Sequence, residues 1–238
     1  MRQAVVLAGG LATRMLPRTR DVPKYLLPVA GRPFAAWHLE RLAAHGLGDV
    51  VLAIGHLGDA IRAFVGDGSA FGVRARYVDE GDQKLGTGGA LLLAAAEGAL
   101  AETFLVTYGD SFLPFDYAAP LALLEARAEL SAVMAVYQNR GALEASNVAL
   151  SPAGDRVGRY EKGARDPALD HIDYGATALR RSALLARAAD AARGFDRLQH
   201  ALAREGALGA LVATERFYEI GSPAGLADLE AHLVDLGR

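Results

Sequence analysis

The chain contains no cysteine. Disulfides, thiolate catalysis and any zinc site built on cysteine are therefore excluded. There is no large charge imbalance. Lys and Arg number 25 against 28 Asp and Glu, a net charge of −3, so bulk attraction to nucleic acid or an anionic membrane is not expected. Long apolar runs are missing too. The most apolar stretches, such as Ala90 to Ala96, fall well short of the ~20 residues a membrane-crossing helix needs. No Gly/Ser/Pro linker divides the sequence and no internal repeat is visible. The N-terminus enters a strand-like run at once, without a signal-peptide pattern, so the expected location is cytoplasmic. The lone tryptophan, Trp37, reads as core. The six histidines, at 38, 45, 56, 171, 200 and 232, show no metal-ligand spacing. His38 and His45 are expected on a helix surface. No G-x-S-x-G elbow is found.

What remains is a globular composition, 52 % hydrophobic and 22 % charged over 238 residues. That is enough for one large domain and too little for two comfortable ones. Apolar, β-branched runs alternate with helical patterns. Strands are expected at Ala4–Leu7, Asp49–Ile54, Arg74–Val78, Thr103–Tyr108 and Ala132–Val136, with helices at Phe34–His45, Gly58–Val65, Gly88–Gly98 and Pro120–Leu130. This alternation predicts an α/β fold, a Rossmann-like, doubly wound, mostly parallel (mixed) sheet. After about Gln138 the pattern shortens. Strands at Asn147–Leu150, Val157–Glu161 and Ala176–Leu179 suggest a smaller β-rich portion, followed by helices at Ser182–Ala192, Phe195–Arg204 and Ala224–Leu236. In open α/β sheets ligands lie beyond the carboxyl ends of the strands, so the loops after Leu7, Val78 and Tyr108 are expected to meet.

The segment from Val5 to Pro28, VVLAGGLATRMLPRTRDVPKYLLP, is the most informative. A buried strand breaks into the small residues Ala8, Gly9 and Gly10, with Ala12 and Thr13 close behind. Small side chains let backbone N–H groups approach a ligand, and a nest of N–H groups favours an anion. Arg14 adds a planar fork for phosphate oxygens and Lys24 a compact point charge. A strand ending in such a loop is a place to hold a polyphosphate. A second signal is Asp110, in Thr107-Tyr108-Gly109-Asp110-Ser111 at a strand end. A carboxylate there suits a divalent cation, although a turn residue or helix N-cap would look the same.

Leu7-Ala8-Gly9-Gly10-Leu11-Ala12-Thr13-Arg14 and Pro23-Lys24-Tyr25-Leu26-Leu27-Pro28-Val29 together resemble the signature of nucleotidyltransferases that act on sugar 1-phosphates, the nucleotide-sugar pyrophosphorylases. Ala12 stands where that family usually has glycine, and a backbone with φ > 0 there would cost something. The resemblance implies a single catalytic domain over 1–238, with a nucleotide-binding portion over 1–137 and a sugar-binding portion with C-terminal helices over 138–238. It implies that Leu7, Ala8, Gly9, Gly10, Thr13, Arg14 and Lys24 bind the nucleotide. Gln83, Gly86, Thr87 and Gly88, in a L-G-T-x-G-A-like stretch, would meet the base. Asp110 and Glu219 would hold Mg²⁺, with Mn²⁺ as an alternative; Glu219 lies in Tyr218-Glu219-Ile220-Gly221-Ser222-Pro223, where the family usually has Asp. Glu161 and Lys162 match the family's E-K pair at the sugar phosphate. Tyr174 and Gly175, with Asn147, would line the sugar pocket. Arg14, Lys24, Asp110 and Lys162 would be catalytic.

The implied partners are an NTP and a sugar 1-phosphate, with no nucleic acid and no membrane, and with homodimer assembly left open. The implied reaction gives an NDP-sugar and pyrophosphate. The short form resembles the bacterial guanylyltransferases for heptose 1-phosphate and mannose 1-phosphate and the uridylyltransferase for N-acetylmuramate 1-phosphate, and the guanylyl group is preferred. A cytidylyltransferase for a phosphocholine-like acceptor is the nearest enzyme alternative. A catalytically silent nucleotide-sugar sensor is the alternative of another class. A Rossmann oxidoreductase would need G-x-G-x-x-G and an acid about 20 residues on; neither is in place.

Overall fold

The computed structural model describes residues 1–81 and 83–235. Seven strands build the central sheet: β1 (Gln3–Leu7), β2 (Asp49–Ile54), β3 (Arg74–Asp79), β4 (Thr103–Tyr108), β5 (Ala132–Tyr137), β6 (Ile172–Arg180) and β7 (Leu208–Ala213). Their order is β7-β5-β6-β4-β1-β2-β3. The pairs β1–β2, β2–β3 and β5–β7 run parallel, and β5–β6 runs antiparallel. This is the expected α/β class with a mixed, mostly parallel sheet. Residue contacts divide the chain into two compact units: Met1–Lys84, Thr107–Leu113 and Phe217–Arg238 form the first, and Leu85–Val106 with Pro114–Arg216 the second.

In the first unit, β1 and β2 are buried along almost their whole length, as strands covered on both faces must be. The helix Phe34–Ala44 starts directly after Pro33, whose fixed φ suits a helix start, and ends before Gly46, which takes the left-handed conformation at φ 77°. Its buried face is Phe34, Ala35, Ala36, His38, Leu39 and Leu42. His38 is thus fully buried, not on the surface as expected. Its ring sits among Tyr25 and Phe34, and burial drives its pKa down to about 3. Trp37 is only partly buried: its indole N–H donates to the Val29 carbonyl at 3.0 Å and Arg32 lies over its ring. The helix Pro223–Asp235 buries Leu226, Leu229 and Leu233 on one face. Leu236, expected as its last residue, lies outside the described residues.

In the second unit, the strand expected at Ala176–Leu179 runs over nine residues, Ile172–Arg180. The register shifts between Asp173 and Thr177, and Gly175 takes φ 92° there. A bulge glycine resembles a strand end in sequence. The helix expected to Leu130 stops at Ala126, because Arg127 leaves helical backbone at φ −120°, ψ 86°. The helix expected at Ser182–Ala192 is two short ones, Arg181–Ala186 and Ala188–Ala191, broken at Arg187. β7, Leu-Gly-Ala-Leu-Val-Ala, was not expected; its Gly and Ala carry little strand propensity, and its pairing to β5 supplies what they lack. Val148–Leu150 and Val157–Tyr160 form a small antiparallel pair, the β-rich portion anticipated there. Among the described residues no helix is long and apolar enough to cross a membrane.

Candidate functional site

The three parallel strands of the first unit end together, and their following loops are laced by backbone hydrogen bonds. Ala8 N–H donates to Ala53 O at 2.9 Å, Glu80 N–H to Ile54 O at 3.0 Å, and Gly109 N–H to Leu7 O at 3.0 Å. The loops after β1, β3 and β4 therefore meet, as the parallel-sheet rule anticipates. Gly109 is tight against this junction: an added Cβ would lie 3.1 Å from Ala8 Cβ and 3.2 Å from Tyr25 Cδ2. Ala12 takes φ 51°, ψ 37°, the left-handed region that costs a residue with a Cβ about 1–2 kcal/mol. The loop is held in this shape by Thr19, whose hydroxyl donates to Ala12 O at 2.9 Å.

This loop presents Gly10, Thr13 and Arg14 to solvent. Arg14 and Lys24 then converge on Gly221. A Cβ added at Gly221 would lie 3.3 Å from Arg14 Nη2 and 3.9 Å from Lys24 Nζ. Lys24 Nζ also donates to Asp110 Oδ2 at 2.8 Å, with both side chains only partly exposed. Glu219 is brought beside Asp110 by a two-residue antiparallel pair, in which Tyr218 faces Phe112 and Glu219 faces Ser111. Ile220 N–H donates to Asp110 O at 2.9 Å. Helix Pro223–Asp235 fixes this strand: Ser222 Oγ accepts from Gly225 N–H at 3.1 Å. At Gly225 a Cβ would meet Glu219 O at 2.1 Å. Two cations and the Asp110 carboxylate thus come together in the first unit, with Glu219 paired through the backbone to the neighbouring Ser111.

No group of three or more His, Cys, Asp and Glu able to hold a metal is present among the described residues. The donor set suits a hard cation that takes one or two carboxylates and completes its shell with water and substrate phosphate oxygens, the habit of Mg²⁺. The Asp110 carboxylate already carries one cation, Lys24, on Oδ2, and on Oδ1 it accepts from the Ser111 hydroxyl at 3.3 Å.

Sequence reasoning missed one acid in this unit. Glu80 follows β3, and its carboxylate sits against the backbone of two loops: a Cβ at Gly9 would lie 2.8 Å from Glu80 Oε1, and one at Gly55 2.7 Å. Gln83, exposed, donates its backbone N–H to Glu80 O at 3.0 Å.

The remaining expected residues belong to the second unit. Gly86, Thr87 and Gly88 open the helix Gly86–Ala96. Gly88 is buried, and a Cβ there would lie 1.9 Å from Ala191 O. The Thr87 hydroxyl accepts from Phe195 N–H at 3.1 Å. Both residues thus fasten their helix to the Ala188–Phe195 stretch. Asn147 links two strands: its side-chain oxygen accepts from Asp173 N–H at 2.9 Å and its carbonyl from Glu161 N–H at 2.8 Å. Lys162 is exposed, while Tyr174 is buried against Phe115 and Tyr137.

Asp173 was also missed. The residue is only partly exposed. Its Oδ1 accepts from Gly175 N–H at 3.0 Å and its Oδ2 from Gln199 Nε2 at 3.3 Å. Burial pushes its carboxyl pKa up, against the opposing pull of these hydrogen bonds, of Lys162 and of the Tyr160 hydroxyl. Its signal in the sequence was a charged residue just ahead of the strand expected at Ala176–Leu179, which in the structure begins at Ile172 and includes it.

The model of the MobA-like NTP transferase domain matches residues 4–213. A mannose-1-phosphate guanylyltransferase of Mycobacterium tuberculosis is 35 % identical over 181 residues, covering 76 % of this chain and 49 % of that protein. An N-acetylmuramate alpha-1-phosphate uridylyltransferase of Neisseria meningitidis serogroup B is 41 % identical over 118 residues, 49 % of this chain and 50 % of that protein. The chain spans about half the length of these curated relatives. The crystal structure of HddC from Yersinia pseudotuberculosis, complexed with GMP-PN, superposes with a TM-score of 0.77 over 98 % of this chain and 100 % of that one, at 22 % identity. At that identity the likeness is one of fold. With the family model covering most of its length, the chain belongs to the MobA-like NTP transferase domain family.

Proposed function

We propose that this protein transfers the nucleotidyl group of an NTP to a sugar 1-phosphate, releasing pyrophosphate. The convergence of Arg14 and Lys24 on Gly221, with Lys24 paired to Asp110, carries the proposal: two fixed cations beside a carboxylate suit a polyphosphate and its metal. An oxygen of the sugar phosphate attacks the α-phosphorus in line, a new P–O bond forms, and the bond to pyrophosphate breaks. No general base is needed, because a phosphate monoester is mostly deprotonated at neutral pH. The protein's task is then positioning and charge neutralisation. Arg14 stabilises charge developing on pyrophosphate, and Lys24 holds the phosphates. Asp110 and Glu219 would hold Mg²⁺ or Mn²⁺, whose contribution when bound is to neutralise phosphate charge. Glu161 accepts hydrogen bonds from the sugar, and Lys162 binds its phosphate.

The preferred substrates are GTP with mannose 1-phosphate or D-glycero-D-manno-heptose 1-phosphate, a choice supported by the guanylyltransferase from Mycobacterium. Uridylyl transfer to N-acetylmuramate 1-phosphate is the second choice, favoured by the Neisseria relative. The test is a grid of four NTPs against several sugar 1-phosphates, read as pyrophosphate release, with and without EDTA. Release that needs both substrates and a divalent cation is expected. Full turnover in metal-free buffer contradicts the roles of Asp110 and Glu219. Consumption of phosphocholine but of no sugar 1-phosphate contradicts the sugar assignment.

A further inference from the structure

Arg159 lies next to the E-K pair, Glu161 and Lys162. It belongs to the strand Val157–Tyr160, two residues before Glu161. Period-two alternation puts both side chains on one side of the strand. The guanidinium grips the carboxylate with two parallel hydrogen bonds, Nε to Oε1 at 2.8 Å and Nη2 to Oε2 at 2.9 Å. A third arm, Nη1, donates to Asp166 Oδ2 at 2.6 Å. Asp166 is itself fixed, accepting from Ala168 N–H at 2.9 Å on its other oxygen. At the backbone, Glu161 N–H is held by Asn147 O. The Glu161 carboxylate is therefore fixed at both ends, by a fork and by its own main chain.

We infer that Arg159 is a positioning residue for the sugar 1-phosphate: its fork on Glu161 fixes that carboxylate in the orientation that accepts hydrogen bonds from sugar hydroxyls. This rests on the sugar role proposed above for Glu161. An ionised carboxylate has about four acceptor sites. A bidentate guanidinium takes the two that converge between the oxygens, leaving one outward-facing site on each. Glu161 then takes sugar hydroxyls singly, one per oxygen, and does not chelate a neighbouring pair. The groups facing this carboxylate are Arg159, Asp166 and His200. Arg159 holds its pKa below the usual range, His200 pulls the same way, and Asp166 and burial oppose. The fork thus favours the charged form of the acceptor. Lysine would keep the charge and lose the fork. Arg159 and Glu161 are each more than a third exposed, and an exposed ion pair adds little to folding stability. The effect belongs to recognition.

The experiment is steady-state kinetics of pyrophosphate release by the full chain from pH 4.5 to 8, with mannose 1-phosphate first and otherwise whichever sugar 1-phosphate the wild type consumes. Arg159→Ala, Arg159→Lys, Glu161→Gln and the double variant Arg159→Ala/Glu161→Gln are compared. Arg159→Ala is expected to raise KM for the sugar 1-phosphate about tenfold, the size of one charge-assisted hydrogen bond, with KM for the NTP unchanged. The pH below which that KM climbs should move up. Arg159→Lys should fall between. In the Glu161→Gln background, removing Arg159 should change little. An unaltered sugar KM and pH profile, an equal rise in both KM values, or a full effect of Arg159→Ala without Glu161 overturns the inference and leaves the sugar role standing. If Arg159→Ala fails to fold, Arg159→Lys decides on the same axes. If the wild type consumes no sugar 1-phosphate, the function proposed above fails and this inference falls with it.

Discussion

Lys24 and Asp110, 86 positions apart in the chain, meet as an ion pair of 2.8 Å between Nζ and Oδ2. A lysine that occupies one carboxylate oxygen competes with any metal that Asp110 binds. Lys24→Ala should therefore lower the Mg²⁺ concentration needed for half-maximal pyrophosphate release. It should also cut kcat by about 10²-fold, the usual cost of losing one donor to developing charge. Asp110→Asn should lose most activity at any Mg²⁺ level. A Mg²⁺ titration of the three proteins checks both, and an unchanged kcat in Lys24→Ala removes Lys24 from the site.

Arg14 is exposed, and its guanidinium lies beside Gly221. Arg14→Ala should lower kcat/KM by about 10²–10³-fold and change stability by less than about 0.5 kcal/mol, as surface substitutions usually do. Gly221→Ala puts a methyl group 3.3 Å from Nη2, so it should reproduce part of the kinetic loss by displacing the guanidinium. Kinetics together with urea unfolding of both variants checks this. A wild-type rate in Arg14→Ala would make Arg14 an ordinary surface cation.

Two glycines of the sequence motifs should behave in opposite ways. Gly88 has no room for a Cβ, which would lie 1.9 Å from the Ala191 carbonyl oxygen, whereas nothing lies within 4 Å of a Cβ at Gly10. Gly88→Ala should destabilise by about 1–3 kcal/mol or more, as overpacking does. Gly10→Ala should stay within about 0.5 kcal/mol. Chemical denaturation measures both. Equal stabilities would mean that the helix Gly86–Ala96 shifts freely and that Gly88 is not there for packing.

The parts of this molecule legible in the sequence are those whose residues signal locally. β2, β4 and the helix Phe195–Arg204 have the expected bounds, because apolar runs and amphipathic spacing mark them without help from distant contacts. The loop carrying Gly9, Gly10 and Arg14 was legible for the same reason. Asp110 and Glu219 were matched by motif, but their adjacency through the Ser111–Phe112 and Tyr218–Glu219 pair is tertiary and unreadable from spacing. β7 and the full length of β6 escaped because partner strands, not propensity, make them strands. His38 escaped because a polar side chain on an amphipathic helix is assigned outward by default, and here packing against Tyr25 and Phe34 takes it inward. Glu80 and Asp173 carry no motif of their own, and only the fold shows what surrounds them.

Asp173 makes a pH dependence with a defined sign. Burial raises its pKa in the folded state above the unfolded value. Between those two values the folded protein holds the proton and the unfolded chain has released it. Stability therefore falls as pH rises through that window: the contribution is fully present below the unfolded pKa and lost as pH passes the folded one. Asparagine at this position cannot ionise, and its side-chain oxygen can still accept from Gly175 N–H. Asp173→Asn should therefore gain stability relative to wild type as pH increases from 4 to 7.5, whatever its offset at pH 4. Urea denaturation of both proteins at several pH values in that range gives the difference directly, and subtracting wild type cancels the other titrating groups. A difference that stays flat, or that falls with pH, would mean that Asp173 ionises in the folded protein as readily as in the unfolded chain, with its hydrogen bonds and Lys162 outweighing burial.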